Sequence, residues 1–552
     1  MKEKLSELIK RSCQDLFNEN IVPVINRPDE KFGDFSTNIA LILSPKLNRS
    51  PIEISNELIN KLNENKDIID SVSLAGPGFI NFKLNNNALL DSIKKGPVKE
   101  FQDKEVIVEF GNANPFKEMH LGHLYMSVVG DSIAKLFEAS GAKVERVSYH
   151  GDVGLHVAKT IWAIKNKLNE DNNAKLEDII NDKKDIGEFY AYGTKAYETN
   201  EISQQEIKDI NKLIYTKTDP LINEIYKLGK ADSFSNFDEV FKSLEISFNK
   251  RYLESETSEA GVKIVNENIG KVFKHSDGAI VFDGESIGLH TRVFINSLGL
   301  PTYEAKDLGL AELKNIDFPN AVKSIIITDT QQLEYFKVML AALKLINSDL
   351  ANKTLHLTHG HLGLSTGKMS SRTGEIYTAK SFIQDIIQAV NSAFPDSSVK
   401  QEVYMSALRY TLLKHRLGSD IVIDVHDSVA LEGNSGPYLQ YSHARARSIF
   451  RRANVVETQI IDTDADFDME ERKLVSKISE FSDVVELAVN ELKPHHVCNY
   501  LYELAQTFNR FYENSRVIND PRQDKRLSLI LLYSNTLKYG LNMLGIPAPD
   551  KM

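Results

Sequence analysis

The apolar run EVIVEF, residues 105–110, restricts the fold more than any other stretch of this chain. It reads as a strand ending at Phe110. A polar loop follows, then a helical pattern from about Leu121 to Ser140, and then a second strand in AKVERVSYHGD. Strand, helix, strand in that order is a βαβ unit, which commits the chain to parallel pairing. SIIIT (Ser324 to Thr328) and LHLTHGHL (Leu355 to Leu362) add two strands, separated by the helical QQLEYFKVMLAALKLI. A parallel sheet flanked by helices is the economical architecture, so the expected class is an α/β multidomain protein.

The length of 552 residues gives room for about three or four domains, and four regions emerge along the chain. Residues 1–96 mix helical patterns with SVSLAGPGFINFKL, where a Gly-Pro-Gly turn punctuates strand residues; a small α/β domain is expected there. The sheet domain is expected over 100–380. A charged, Asn-rich helical stretch with the hairpin-like GAIVFDG, about 165–285, reads as an insertion in it. Over 381–552 the pattern is helical almost to the end and predicts an α-helical bundle.

Two cysteines, Cys13 and Cys498, are too few and too distant in sequence for a disulfide framework or a thiolate metal cage, so a reducing cytoplasm is expected and no protein-held metal. No stretch approaches a membrane span, and the first helix lacks the apolar run of a signal peptide. A net charge of -11 argues against nucleic-acid binding over the whole surface. It leaves room for local basic patches, and QYSHARARSIFRRA sets Arg445 and Arg447 beside tyrosine and histidine.

In a doubly wound sheet the ligand crevice lies at the carboxyl ends of the strands, where a helix N-terminus offers free N–H groups to phosphate. Residues 111–123 fall in that place. His120 and His123, three apart, share a helix face and can donate to phosphoryl oxygens, while Gly122 lets a flat ring approach the backbone. Farther on, LGLSTGKMSSRTGE gives Gly367, Lys368, Ser370, Ser371 and Arg372 the character of a cationic loop suited to polyphosphate. Taken singly, HLGH also serves as a helix cap with surface histidines, and KMSSR as a solvated turn. Their joint placement in one parallel sheet is what a two-part ATP site requires.

His120-Leu121-Gly122-His123 and Lys368-Met369-Ser370-Ser371 resemble the two signature motifs of class I aminoacyl-tRNA synthetases. The more specific resemblance is to the arginyl-tRNA synthetase family. It is carried by Glu109, Asn114 and Lys117 before HLGH, by GLPTYEAKDLGLA at 299–311, by NSGPYLQYSHARARSIFRRA at 434–453, and by the terminal LNMLGIPAPDKM. GDFSTNIAL and AGPGFINFKL also resemble that family's N-terminal domain. The likeness is loose only across roughly 165–280.

The resemblance implies a Rossmann-like catalytic domain that joins L-arginine to tRNA(Arg) at the cost of ATP, with Mg²⁺ carried on the nucleotide. It implies catalysis by His120, His123, Lys117 and Lys368, and ATP binding by Gly122, Met369, Ser370 and Ser371 with those histidines and Lys368. For arginine it implies Glu109, Asn112, Asn114, His120, Tyr303, Asp307 and Gln332. A planar, permanently charged guanidinium calls for carboxylates in a fork, and Glu109 with Asp307 is the pair to expect. Read alone, Glu109 is also a strand-end charge, Asp307 a helix cap and Tyr303 a core residue. For tRNA the implied contacts are Tyr438, Tyr441, Arg445, Arg447 and Met552 at the anticodon and Asn38 and Phe79 at the elbow; stacking aromatics beside arginines suit that task. A bundle face with solvated arginines is the other reading of the same segment. The resemblance further implies a monomer, and tRNA bound before arginine is activated. The sequence departs from the family in having Ser371 where a second lysine is usual, with Arg372 beside it, in Asn112 where serine is frequent, and in lacking a histidine near Tyr335. The same sheet also supports a small-molecule adenylate-forming ligase or nucleotidyltransferase, an alternative that the helical domain speaks against, and a non-catalytic RNA-binding relative, against which the retained His120, His123, Lys368, Glu109 and Asp307 speak.

Overall fold

Five parallel strands form the central sheet of the computed structural model, which describes residues 1–170, 175–181, 185–365, 377–455 and 465–552. Lys368, Met369, Ser370, Ser371 and Arg372 lie outside the described residues. The strands are β1 (Glu105–Glu109), β2 (Lys143–His150), β3 (Lys250–Leu253), β4 (Ala321–Asp329) and β5 (Thr354–His359), in spatial order β5-β4-β1-β2-β3. The chain builds outward from β1 through β2 to β3, then returns to the other side of β1 with β4. The strand order therefore reverses between β1 and β4, which opens a crevice at their carboxyl ends.

Val106, Ile107 and Val108 of β1 and Ile325, Ile326 and Ile327 of β4 are buried. Central strands covered on both faces read as unbroken apolar runs for this reason. Helix α1 (Leu121–Ala139) runs back across the sheet and is buried nearly all round. Gly130 makes that approach possible: a Cβ there would lie 2.2 Å from the Phe110 ring.

The segment between β2 and β3 carries helices, among them α2 (Pro220–Ser243), packed around their own core of Val157, Ile161, Trp162, Ile207 and Ile225. The segment expected as an insertion also supplies β3 itself, whose four residues pair in parallel with β2. Such a short edge strand leaves no periodicity to read. After it come α3 (Glu254–Glu267) and α4 (Tyr303–Asp317). The two helices touch at Gly261 and Gly309, where a Cβ would meet the partner's backbone carbonyl at 2.0 and 2.2 Å. Between them Phe273–Ser276, Ala279–Phe282 and Arg292–Ile295 form a three-stranded antiparallel sheet.

The N-terminal region is a four-stranded antiparallel sheet backed by helices, and its hairpin pairs Ile69–Ala75 with Phe79–Leu84. Beyond β5 the chain is mainly helical and includes α5 (Lys400–Leu413) and α6 (Gly436–Ala453). The two ends of the chain meet. Asp34 accepts from Arg472 at 2.7 Å and from Ser476 at 2.6 Å, and Arg27 pairs with Asp483 at 2.7 Å. Cys13 and Cys498 are both buried free thiols, and burial pushes the Cys13 thiol up to about 11. Among the described residues no helix is long and apolar enough to cross a membrane.

Candidate active site

The loop between β1 and α1 is held from both sides. Asn112 accepts the Tyr149 N–H at 2.9 Å and Asn114 accepts the Gly151 N–H at 2.9 Å, so two side-chain amides staple the loop to the end of β2. Phe116 anchors it to the inserted helices: its ring is fully buried, its N–H donates to Ser233 Oγ at 3.0 Å, and its carbonyl accepts from Thr160 Oγ1 at 3.0 Å. That residue sits at φ 65°, a left-handed conformation a phenylalanine holds only where its surroundings enforce it. The polar, turn-forming residues ahead of α1 therefore do structural work before any ligand arrives.

His120 caps α1. Its Nδ1 accepts the Gly122 N–H at 3.1 Å, His123 Nδ1 accepts the His120 N–H at 3.3 Å, and the two rings stack with centroids 3.6 Å apart. Each Nδ1 is used as an acceptor, which leaves the proton on Nε2. Burial pushes His120 down to about 4 and His123 well below the usual imidazole range, with the neighbouring histidine adding to the second shift. At neutral pH the pair is uncharged and presents two N–H donors at the positive end of a helix.

A cleft of about 1000 Å³ extends from these histidines along the carboxyl ends of β1 and β4 to α3 and α4. Glu109, Asn112, Asn114, His120, Gly122, His123, Tyr303, Asp307 and Gln332, all singled out from the sequence, line it. Lys117 does not. Its ammonium sits 4.5 Å from the Tyr190 ring centre, and its charge helps to lower His120 and His123.

The far end of the cleft is rich in buried charge. Glu109 receives Lys314 Nζ at 2.6 Å on one oxygen and Asn112 Nδ2 at 3.0 Å on the other. Glu254 receives Lys306 Nζ at 2.6 Å, and Glu304 faces Arg292 at 3.4 Å. Asp307 is the exception: it is buried, yet among the described residues it has no hydrogen-bond or ion-pair partner. Burial pushes its carboxyl well above the usual range, and Glu109 and Glu254 push the same way. It is not a helix cap, since Thr302 holds that position in α4. Nor is Tyr303 a core residue; it is 64% exposed at the cleft.

Sequence reasoning missed Glu254, Lys306 and Lys314, and also Asp329, His359 and His361, which line the cleft near the histidines. Only one signal was available. Asp307 and Lys314, seven apart on a helix, share a face.

The family model described as "tRNA synthetases class I (R), catalytic domain" matches residues 85–401, more than half of the chain, and the cleft lies within that span. The chain belongs to the class I arginyl-tRNA synthetases. Two further models flank the first, "Arginyl tRNA synthetase N terminal domain" over 3–84 and "DALR anticodon binding domain" over 439–552. Curated relatives include the arginine–tRNA ligase of Borrelia garinii, 29% identical over 95% of this chain and 94% of that one, and that of Flavobacterium psychrophilum, 26% identical over the whole of both. The Thermus thermophilus arginyl-tRNA synthetase structure superposes with a TM-score of 0.83 over all of both chains at 24% identity, which bears on the fold.

In this synthetase α6 carries the tyrosines and arginines picked out from the sequence. Tyr441 is exposed, Tyr438 is half-buried and accepts from Asn509 at 2.9 Å, and Arg445 lies 4.7 Å over the Tyr512 ring. Arg447 pairs with Asp550 at 3.3 Å, which ties the C-terminal segment to α6 and leaves Met552 at the surface. In the N-terminal region Asn38 precedes the helix Ile39–Leu47, and Phe79, 40% exposed, opens the strand beside it.

Proposed function

We propose that this chain is an arginine–tRNA ligase whose single cleft activates L-arginine with ATP and passes it to the 3′ end of tRNA(Arg). The arginine carboxylate attacks the α-phosphorus, pyrophosphate leaves, and a terminal ribose hydroxyl of the tRNA then displaces AMP. No protein nucleophile is needed. The chain contributes position and charge stabilisation: the Nε2–H groups of His120 and His123 face the developing phosphoryl charge, and Gly122 leaves room for the nucleotide. Lys368, with Met369, Ser370 and Ser371, is assigned to the polyphosphate from sequence, with Arg372 and Lys117 as further cations. Magnesium enters as part of the nucleotide substrate.

One observation carries the reading. A buried carboxyl without a cation, Asp307, shares one switch-point cleft with two neutral imidazole donors at a helix N-terminus. A guanidinium is the ligand that this end lacks; Tyr303 flanks it, and Asn114 and Gln332 are assigned to the α-amino and α-carboxyl groups. Glu109 keeps one lone pair free on each oxygen for the same guanidinium. We assign the anticodon to Tyr438, Tyr441, Arg445, Arg447 and Met552, the tRNA elbow to Asn38 and Phe79, and the working form to a cytoplasmic monomer.

The test is charging of tRNA with each labelled amino acid in turn. Arginine alone should be attached. Attachment of lysine at a comparable rate, or adenylation of another acid with no RNA acceptor, would contradict the assignment.

A further inference from the structure

The charged groups at the amino-acid end of the cleft pair off from within the fold, with one left over. Four carboxyls stand there, Glu109, Glu254, Glu304 and Asp307, against three cations, Lys314, Lys306 and Arg292. Glu109 lines the cleft whereas Lys314 does not, and both ends of that pair are buried. Lys314 belongs to α4, the same helix as Asp307 and seven residues on, so one helix face holds the carboxyl offered to ligand and the cation that neutralises its neighbour. Without Lys314, Glu109 and Asp307 would be two like charges in one low-dielectric site. One of them would then keep a proton.

A protonated Asp307 is a different recognition element. An ionised carboxyl accepts from the N–H groups of a guanidinium, while a protonated one donates an O–H. L-Citrulline has the shape of arginine with a neutral ureido group, and its carbonyl oxygen is the acceptor that a protonated Asp307 would hold.

We propose that Lys314 is a specificity-determining residue: as the internal counter-ion of Glu109 it leaves Asp307 as the one carboxyl whose cation must come from the ligand, so that an incoming guanidinium ionises Asp307 and is held while the neutral ureido isostere is turned away. The inference rests on the arginine reading of the cleft. Every charged or titratable group facing Asp307 enters the balance. Glu109 of β1, Glu254 of α3 and Glu304 of α4 favour its protonated form on top of burial, and Lys314 opposes them. Tyr149 of β2 also faces Asp307 and stays neutral, since burial and the surrounding carboxylates hold its proton on.

The experiment measures KM for arginine against pH, and inhibition by citrulline, in arginine-dependent pyrophosphate exchange with tRNA present. Lys314→Met should move the acid limb of arginine affinity up by about one unit or more. At neutral pH that weakens arginine by about tenfold per unit and shifts preference toward citrulline by a similar factor. Lys314→Arg keeps the cation and should restore the wild-type profile. Glu109→Gln removes the like charge and should move the limb the other way, which keeps the idea testable if Lys314→Met does not fold. An unmoved pH limb and an unmoved arginine-to-citrulline ratio in Lys314→Met, or in Glu109→Gln where only that variant folds, overturns the role of Lys314. If the wild-type enzyme does not activate arginine at all, the arginine reading fails instead.

Discussion

At the scale of single residues, His120 has two jobs on two ring nitrogens. Nδ1 caps α1 and Nε2–H faces the cleft. Asparagine can take over the first with its side-chain oxygen, as it does at many helix N-termini, but has no donor reaching as far as Nε2. His120→Asn should therefore cost about 10²–10³ in the rate of adenylate formation, while unfolding free energy changes by less than about 1 kcal/mol. Single-turnover kinetics and denaturant melts on the same variant separate the two jobs. The buried histidines make a second statement, about acid. His120, His150, His156 and His356 are each pushed from 6.5 to about 4 by burial. Between those values the unfolded chain takes up protons that the folded chain refuses, so stability must fall as pH drops from 6.5 toward 4. Melting temperature should be flat above pH 7 and distinctly lower at pH 5; a flat profile down to pH 5 would refute the neutral-histidine account.

At the scale of elements, the site depends on how closely α1 lies on β1. Gly130→Ala puts a methyl group into the Phe110 ring, at the end of the strand that delivers Glu109. It should destabilise the fold by about 1–3 kcal/mol, measurable by urea titration, and raise KM for arginine more than KM for ATP. The same elements explain what could be read from the sequence. β1, the stapled loop and α1 are legible because a buried parallel strand is an unbroken apolar run and a phosphate-facing helix start is dense in polar residues. β3 was hidden, since KRYL is four residues with no period of its own. Lys314 and Lys306 were hidden for another reason. A lysine on a helix reads as solvated, and the carboxylate that makes it internal lies 205 residues away for Lys314 and 52 for Lys306.

At the scale of the whole molecule, one arginine joins regions that the sequence presents as separate domains. Arg409, fully buried on α5, donates to the Leu544 carbonyl at 2.9 Å, to the Leu244 carbonyl just past α2 at 3.2 Å, and to Asp131 of α1. Asp131 also receives Arg146 of β2 at 3.1 Å. The helical region, the inserted helices and α1 thus share a single ionic junction. Nothing in SALRYTLLKHRL distinguishes this arginine from a surface one. Arg409→Met would leave Asp131 partly uncompensated in the interior, so it should cost about 3–5 kcal/mol, read as a drop in the denaturant midpoint; a loss below 1 kcal/mol would show that the junction carries little. The central claim is that one cleft brings arginine and ATP together for adenylation. It is tested most directly by exchange of labelled pyrophosphate into ATP, with and without matched tRNA, with arginine against lysine and the other amino acids. The account predicts exchange with arginine and tRNA together and none with lysine; exchange driven by another acid without RNA, or none under any condition while tRNA still binds, would contradict it.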